Sequence, residues 1–254
     1  MVKIPQREDP TLEAMYKAVE KNAVNEQRDY LGASLIGEPC ARKIWYNVNG
    51  FEQSPSSHIG LMAADSGYYA EDKTAERLRL VEGIELHTHM PNGEQYGWEQ
   101  PVSLSADPEH TGAKMAGHYD GLIRGLLQAP KTIHIWEHKD KDHKKFADFQ
   151  RKKQEYGEKN ALREWNINYY AQAQVNMHFC KIDGKRVNRH YMTVSYAGGR
   201  KYDSCRTEYD ETAAMKYIER GEKILRAIEA PPRINETPDY YLCRFCNFKG
   251  ICHA

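Results

Sequence analysis

The 254-residue sequence predicts an α/β fold, with a central sheet flanked by helices. Three observations carry that expectation. Apolar residues recur at helical spacing near both ends, the middle of the chain alternates with period two, and no repeat or low-complexity tract interrupts the pattern. Residues 10–27 place Leu12, Met15, Tyr16 and Val19 on one helical face. A second helix is expected over 34–49, with Ser34 as its N-cap and Gly50 just past its end, and then a loop at 53–57. A third helix covers 66–81. There Tyr68, Glu71, Ala75 and Leu78 share a face that is otherwise apolar, which points Glu71 inward.

Strands are expected at 83–90, 102–104, 114–122 and 132–139, the last alternating most clearly. The charge-dense stretch 139–159 reads as a solvated helix or an arm that grips phosphates. Residues 164–180 form a helix with Tyr169, Gln172, Val175 and Phe179 on one face, and 186–196 a further strand. The last long helix spans 212–228, and Pro231 and Pro232 end it.

Composition excludes several classes. No run approaches the roughly 18 apolar residues of a membrane span. The opening MVKIPQREDP has no apolar stretch after its charges, so no secretory signal is expected and the location expected is cytoplasmic. Lys and Arg number 36, as do Asp and Glu, which rules out a polybasic binder. An enzyme of nucleic acids survives that test, because only its groove must be positive.

Glu137 and Lys139 lie two apart in a strand and so point to one face, after Ile133 and Ile135. Charges at the end of an apolar strand face are costly unless they pair or bind an ion. The preceding strand ends in Gly117-His118-Tyr119-Asp120-Gly121, and pairing of the two strands would bring Asp120 to Glu137 and Lys139. Two hard oxygen ligands suit Mg²⁺ or Mn²⁺, a nearby lysine suits an attacking water, and Glu71 is a third candidate ligand. The alternative is a buried Glu137–Lys139 ion pair beside a turn aspartate.

Of the six cysteines, Cys243, Cys246 and Cys252 form C-x2-C-x5-C. In a reducing compartment that spacing favours metal or cluster ligation over disulfides, with a fourth ligand still needed. Cys180 and Cys205 read as free thiols. Tyr68 and Tyr69 suit either base stacking or the edge of the core.

Gly117-x-x-Asp120 followed by Glu137-His138-Lys139 resembles the PD-(D/E)XK nuclease signature in its RecB-like branch. Gly67-Tyr-Tyr-Ala-Glu71 is similar to the helix motif of that branch. Tyr169-Tyr170-Ala171-Gln172-Ala173-Gln174 resembles the glutamine helix of viral YqaJ-type and lambda-type recombination exonucleases. Ala33-Ser34-Leu35-Ile36-Gly37, Cys40-Ala41-Arg42-Lys43 and Trp45-Tyr46 resemble the first segment of the iron–sulfur members. These motifs span residues 33–252. Glu71 stands where CRISPR-associated members carry histidine, and Asn176 stands where a tyrosine is expected.

The resemblance implies one nuclease domain with a restriction-endonuclease-like core at 61–200. N-terminal helices at 1–60 would carry the first cluster cysteine, and a last helix and cysteine-rich tail would occupy 201–254. It implies Asp120 and Glu137 as metal ligands, Glu71 as an auxiliary one and the His138 carbonyl as another. Lys139 would position water, and Gln172 would organise lysine or substrate. It further implies a [4Fe–4S] cluster on Cys40, Cys243, Cys246 and Cys252, the rival being a structural Zn²⁺ with either Cys40 or His253 as fourth ligand. The implied activity is a Mg²⁺- or Mn²⁺-dependent DNA exonuclease of viral recombination or end processing, working with a single-strand annealing or recombination protein. The oligomeric state is left open. The other readings are a CRISPR-associated nuclease trimming DNA for spacer capture, or a catalytically weak iron–sulfur DNA-binding protein.

Overall fold

The computed structural model describes residues 9–23, 28–103, 113–196 and 198–254. Residues 24–27 of the first expected helix and Leu104 of an expected strand lie outside them. Helix α1 (Pro10–Lys21) starts where Asp9 Oδ1 accepts the N–H groups of Thr11 and Leu12 at 2.9 and 3.3 Å.

The second expected helix is shorter than its periodicity suggests. Strand β1 (Leu31–Gly32) leads into a single 3₁₀ turn at Ala33–Leu35, and α2 runs only over Ala41–Val48. Ser34 caps nothing there, and Cys40 occupies the N-cap position. Pro39 is the physical reason, since it disfavours helical backbone at Glu38. Helix α3 (His58–Arg79) instead begins earlier than expected, at an N-cap supplied by Ser57.

Strands β2 (Glu85–His87), β3 (Gly97–Val102), β4 (Ala113–His118), β5 (Gly121–Arg124) and β6 (His134–Lys141) follow. The expected strand over 114–122 divides at Tyr119 and Asp120. Its first half, β4, lies between β1 and β3 in a three-stranded sheet, and its second half joins the larger sheet. That break leaves Asp120 between two strands of different sheets.

Helices α4 (His143–Tyr156), α5 (Glu158–Trp165) and α6 (Ile167–Phe179) come next, with Gly157 at φ 78° separating the first two. The region 139–159 is therefore not an arm. Phe146 and Phe149 are buried under α4, and Arg151 pairs with Asp148 and Glu155, so its charges form a solvated helix face. After a hairpin of β7 (Lys181–Ile182) and β8 (Lys185–Arg186) come β9 (Arg189–Tyr196), β10 (Lys201–Glu208) and α7 (Glu211–Leu225). Strand β10 was not expected: it reads as polar, yet Cys205 at its centre is fully buried.

The larger sheet has the order β10-β9-β6-β5-β2. Strand β6 is central, parallel to β9 and antiparallel to β5, so the sheet is mixed, and helices flank it. This is the α/β arrangement expected from the sequence. Two short helices, α8 (Tyr241–Arg244) and α9 (Lys249–Cys252), close the chain. Phe248 between them packs into a core with Ile44, Trp45 and Tyr46 of α2, Met115 of β4 and Val175 of α6. That packing brings the tail to Cys40.

Candidate active site and cysteine cavity

The central position of β6 explains the burial of its charges. Glu137 is fully buried, and its Oε2 lies 3.6 Å from Lys139 Nζ. Lys139 Nζ also lies 4.0 Å from Asp120 Oδ2. The backbone N–H of His138 donates to Asp120 Oδ2 at 2.7 Å. Asp120, Glu137 and Lys139 thus converge across β5 and β6. Glu71 from α3 and Gln172 from α6 reach the same cleft of about 450 Å³, together with Asp120 and Lys139. Tyr68 lines it and is 70% exposed, and Tyr69 is 61% exposed, so neither packs at the core's edge.

Electrostatics reflect three carboxylates in a poorly hydrated space. Burial, and then the neighbouring Asp120 charge, push Glu71 up to about 8. Burial likewise raises Asp120, to about 6, against the pull of Lys139. Glu137 is also desolvated, but Lys139, His190 and the Asn176 amide outweigh that and hold its carboxyl below the usual range. Its Oε2 nevertheless finds no hydrogen-bond partner among the described residues. Burial opposes the charge on Lys139, and the Asp120 and Glu137 carboxylates more than restore it.

The His138 side chain points to the other face of the strand. Its Nδ1 and Nε2 lie 3.0 Å from Thr193 Oγ1 and 3.0 Å from Ser195 Oγ, both on β9. That buried ring fastens β6 to its parallel neighbour.

Three nearby residues had no site role in the sequence reading. Asn176 Nδ2 donates to Glu137 Oε1 at 2.9 Å, and Trp98 Nε1 donates to Asn176 Oδ1 at 2.8 Å. His190 on β9 is fully buried, with Nε2 3.9 Å from Glu137 Oε1. Asn176 was findable, being one helical turn beyond Gln172. Trp98 and His190 arrive through sheet pairings that leave no local mark.

Cys40, Cys243, Cys246 and Cys252 line one cavity together with His253, whose Nε2 is buried without a partner among the described residues. Arg220 holds the loop before Cys40 by donating to the carbonyls of Ile36 and Glu38 at 3.1 and 2.7 Å. Arg233 holds the tail through the Cys252 carbonyl at 2.7 Å. Arg42 donates to Tyr46 Oη and the Pro231 carbonyl, so it pins α2 to the segment after α7. Cys180 and Cys205 are buried as free thiols. Among the described residues no three His, Cys, Asp or Glu side chains are arranged to hold a metal ion.

No family model and no curated protein matches the chain. Solved structures do. The crystal structure of SSO0001 aligns with a TM-score of 0.50 at 12% identity, over 95% of this chain and 96% of that one. At that identity the likeness is one of fold. Structures of an alkaline exonuclease, LHK-Exo, from Laribacter hongkongensis, and of LHK-Exo in complex with dAMP, align with a TM-score of 0.46 at 12% identity, over 84% of this chain and 90% of theirs.

Proposed function

We propose that this chain is a divalent-metal-dependent nuclease, a single domain that hydrolyses DNA phosphodiesters from an end. The observation that carries the reading is that Lys139 lies within 4.0 Å of both Asp120 and the buried Glu137, while Asp120, Lys139, Glu71 and Gln172 line one cleft. A Glu137–Lys139 pair serving stability alone would not recruit two further carboxylates at the cost of raising their pKa values.

The residues fit a hard cation. Glu137 Oε2 is buried and lacks a hydrogen-bond partner among the described residues, and the crowded carboxylates want a counter-charge. No full protein cage is required, because Mg²⁺ keeps several waters and takes one or two carboxylates. Asp120 and Glu137 would hold the ion, with Glu71 and the His138 carbonyl as further ligands. When bound, Mg²⁺ or Mn²⁺ supplies polarisation of the scissile phosphate and a water of lowered pKa. Lys139 offsets phosphate charge and orients the attacking water. Gln172 organises the substrate and the lysine. Tyr68, exposed at the rim, offers a base a stacking surface.

Cys40, Cys243, Cys246 and Cys252 would hold a [4Fe–4S] cluster that staples α2 to the tail. A single zinc ion, with Zn–S near ~2.3 Å, needs its sulfurs within about 4 Å of one another. That ion is the rival occupant, with either Cys40 or His253 completing the three tail thiolates. End processing of DNA during recombination is the setting we infer.

Digestion of end-labelled linear DNA beside covalently closed circles tests the reading. With Mg²⁺ or Mn²⁺ the linear DNA should be degraded and the circles should persist, and Glu137→Gln should leave both substrates intact. Rapid opening of closed circles would make the protein an endonuclease. Inertness of the intact, coloured protein on both substrates would end the nuclease reading.

A further inference from the structure

We propose that Asn176 is the positioning residue for Glu137, and that Trp98 sets the direction in which Asn176 acts. The inference rests on the nuclease reading and adds a residue to it. An asparagine amide can point either way, but here its surroundings decide. The Trp98 indole is a donor only, so the atom 2.8 Å from its Nε1 must be the amide oxygen of Asn176. The amide nitrogen then faces Glu137 Oε1 at 2.9 Å, with the His118 carbonyl at 3.4 Å on its other side. Asn176 is fully buried, so water does not compete for these bonds.

One carboxylate oxygen of Glu137 is thereby occupied and the other is left bare. Oε2, facing Lys139 at 3.6 Å, has no hydrogen-bond partner among the described residues. The amide thus selects which oxygen is presented to a cation and prevents rotation of the carboxylate. Gly117 makes the arrangement possible. A Cβ there would stand 2.5 Å from Trp98 Nε1 and 2.7 Å from Asn176 Oδ1, inside the hydrogen bond itself. Strand β4 therefore needs glycine at this point for the sake of a carboxylate on β6.

The test measures Mn²⁺ binding to the DNA-free protein by electron paramagnetic resonance, alongside cleavage kinetics. Asn176→Ala should weaken Mn²⁺ binding by about 10- to 100-fold, the usual effect of removing a group that orients a ligand. It should lower kcat at fixed metal and leave KM for DNA unchanged. Asn176→Asp should weaken Mn²⁺ binding at least as much, because it sets a carboxylate against Glu137 Oε1. Trp98→Phe keeps the stacking on Phe179 and should give a smaller shift in the same direction. Should Asn176→Ala fail to fold, Trp98→Phe decides by the same readout. Wild-type Mn²⁺ affinity in a folded Asn176→Ala would overturn the proposal. The parent reading fails separately, when Glu137→Gln itself binds Mn²⁺ and cleaves normally.

Discussion

The backbone N–H of His138 donates to Asp120 Oδ2 at 2.7 Å, so the strand that carries Glu137 and Lys139 also holds the carboxylate offered by its neighbour. Asp120 sits in the two-residue gap between β4 and β5, where no ladder bond constrains its backbone on both sides. The bond from β6 supplies that constraint. Strand β6 is itself tied to β9 through the buried His138 ring. Placement of the whole cluster thus depends on one central strand.

Asp120→Asn retains an oxygen that can accept the His138 N–H but loses the charge. It should fold normally, bind DNA, and cleave at least about 100-fold more slowly. Asp120→Ala loses both and should also be less thermostable. Lys139→Ala should match Asp120→Asn in rate while binding linear DNA. Steady-state rates beside a binding titration check all three, and near-normal turnover in Asp120→Asn would remove it from the metal site.

Protein purified without oxygen should be brown, with the broad visible absorbance of thiolate-bound iron–sulfur clusters. Replacing Cys40, Cys243, Cys246 or Cys252 by Ser should bleach it, while Cys180→Ser and Cys205→Ser keep the colour. Cys40→Ser is the decisive variant, because the tail alone offers three thiolates and His253. Colourless protein with one equivalent of zinc, indifferent to Cys40→Ser, would replace the cluster by a local zinc site.

His134 governs part of the acid sensitivity. Burial pushes its pKa down to about 4, its bond to the Thr132 carbonyl opposes that, and Arg206, His190 and Arg189 push it further down. Below the unfolded value near ~6.5 the unfolded chain takes up a proton that the folded protein refuses. Stability is therefore fully present above about pH 6.5 and declines as pH falls toward the folded value. Between pH 7 and 4 the wild type should lose up to about 3 kcal/mol more than His134→Gln, which keeps a donor and has no charge to gain. Urea melts across that range measure the difference. Parallel losses in the two proteins would refute it.

Gly37→Ala should destabilise the fold by about 1–3 kcal/mol, as overpacking does. A Cβ there would stand 2.7 Å from the Asn168 Cα and 2.8 Å from the Ala171 Cβ, both on α6. The loop that carries Cys40 would have to lift, so colour should be lost at a lower temperature than in the wild type. Thermal melts followed in the visible and far ultraviolet read both effects.

Several features were legible locally because they depend on neighbours in the chain. Period two over 132–139 marks β6, and the same alternation puts Glu137 and Lys139 on one face. The inward face of α3 marks Glu71. Errors cluster where a single residue overrides periodicity: Pro39 shortens α2, Gly157 divides α4 from α5, and the chain leaves one sheet for another at Asp120.

Gln172 entered through the family resemblance; the sequence by itself determined the α/β class, the strand with its paired charges, and the candidate residues Glu71, Asp120, Glu137 and Lys139. Each follows from short-range spacing, which steric limits on helix and strand translate directly into direction. Only the tertiary structure decided that Asn176 orients Glu137, that His190 lies behind it, and that Cys40 shares a cavity with three cysteines about 200 residues away. Those relationships come from the order β10-β9-β6-β5-β2 and from the core that Phe248 shares with α2. Contacts of that kind are chosen by burial of apolar surface across the whole chain, which no local spacing encodes.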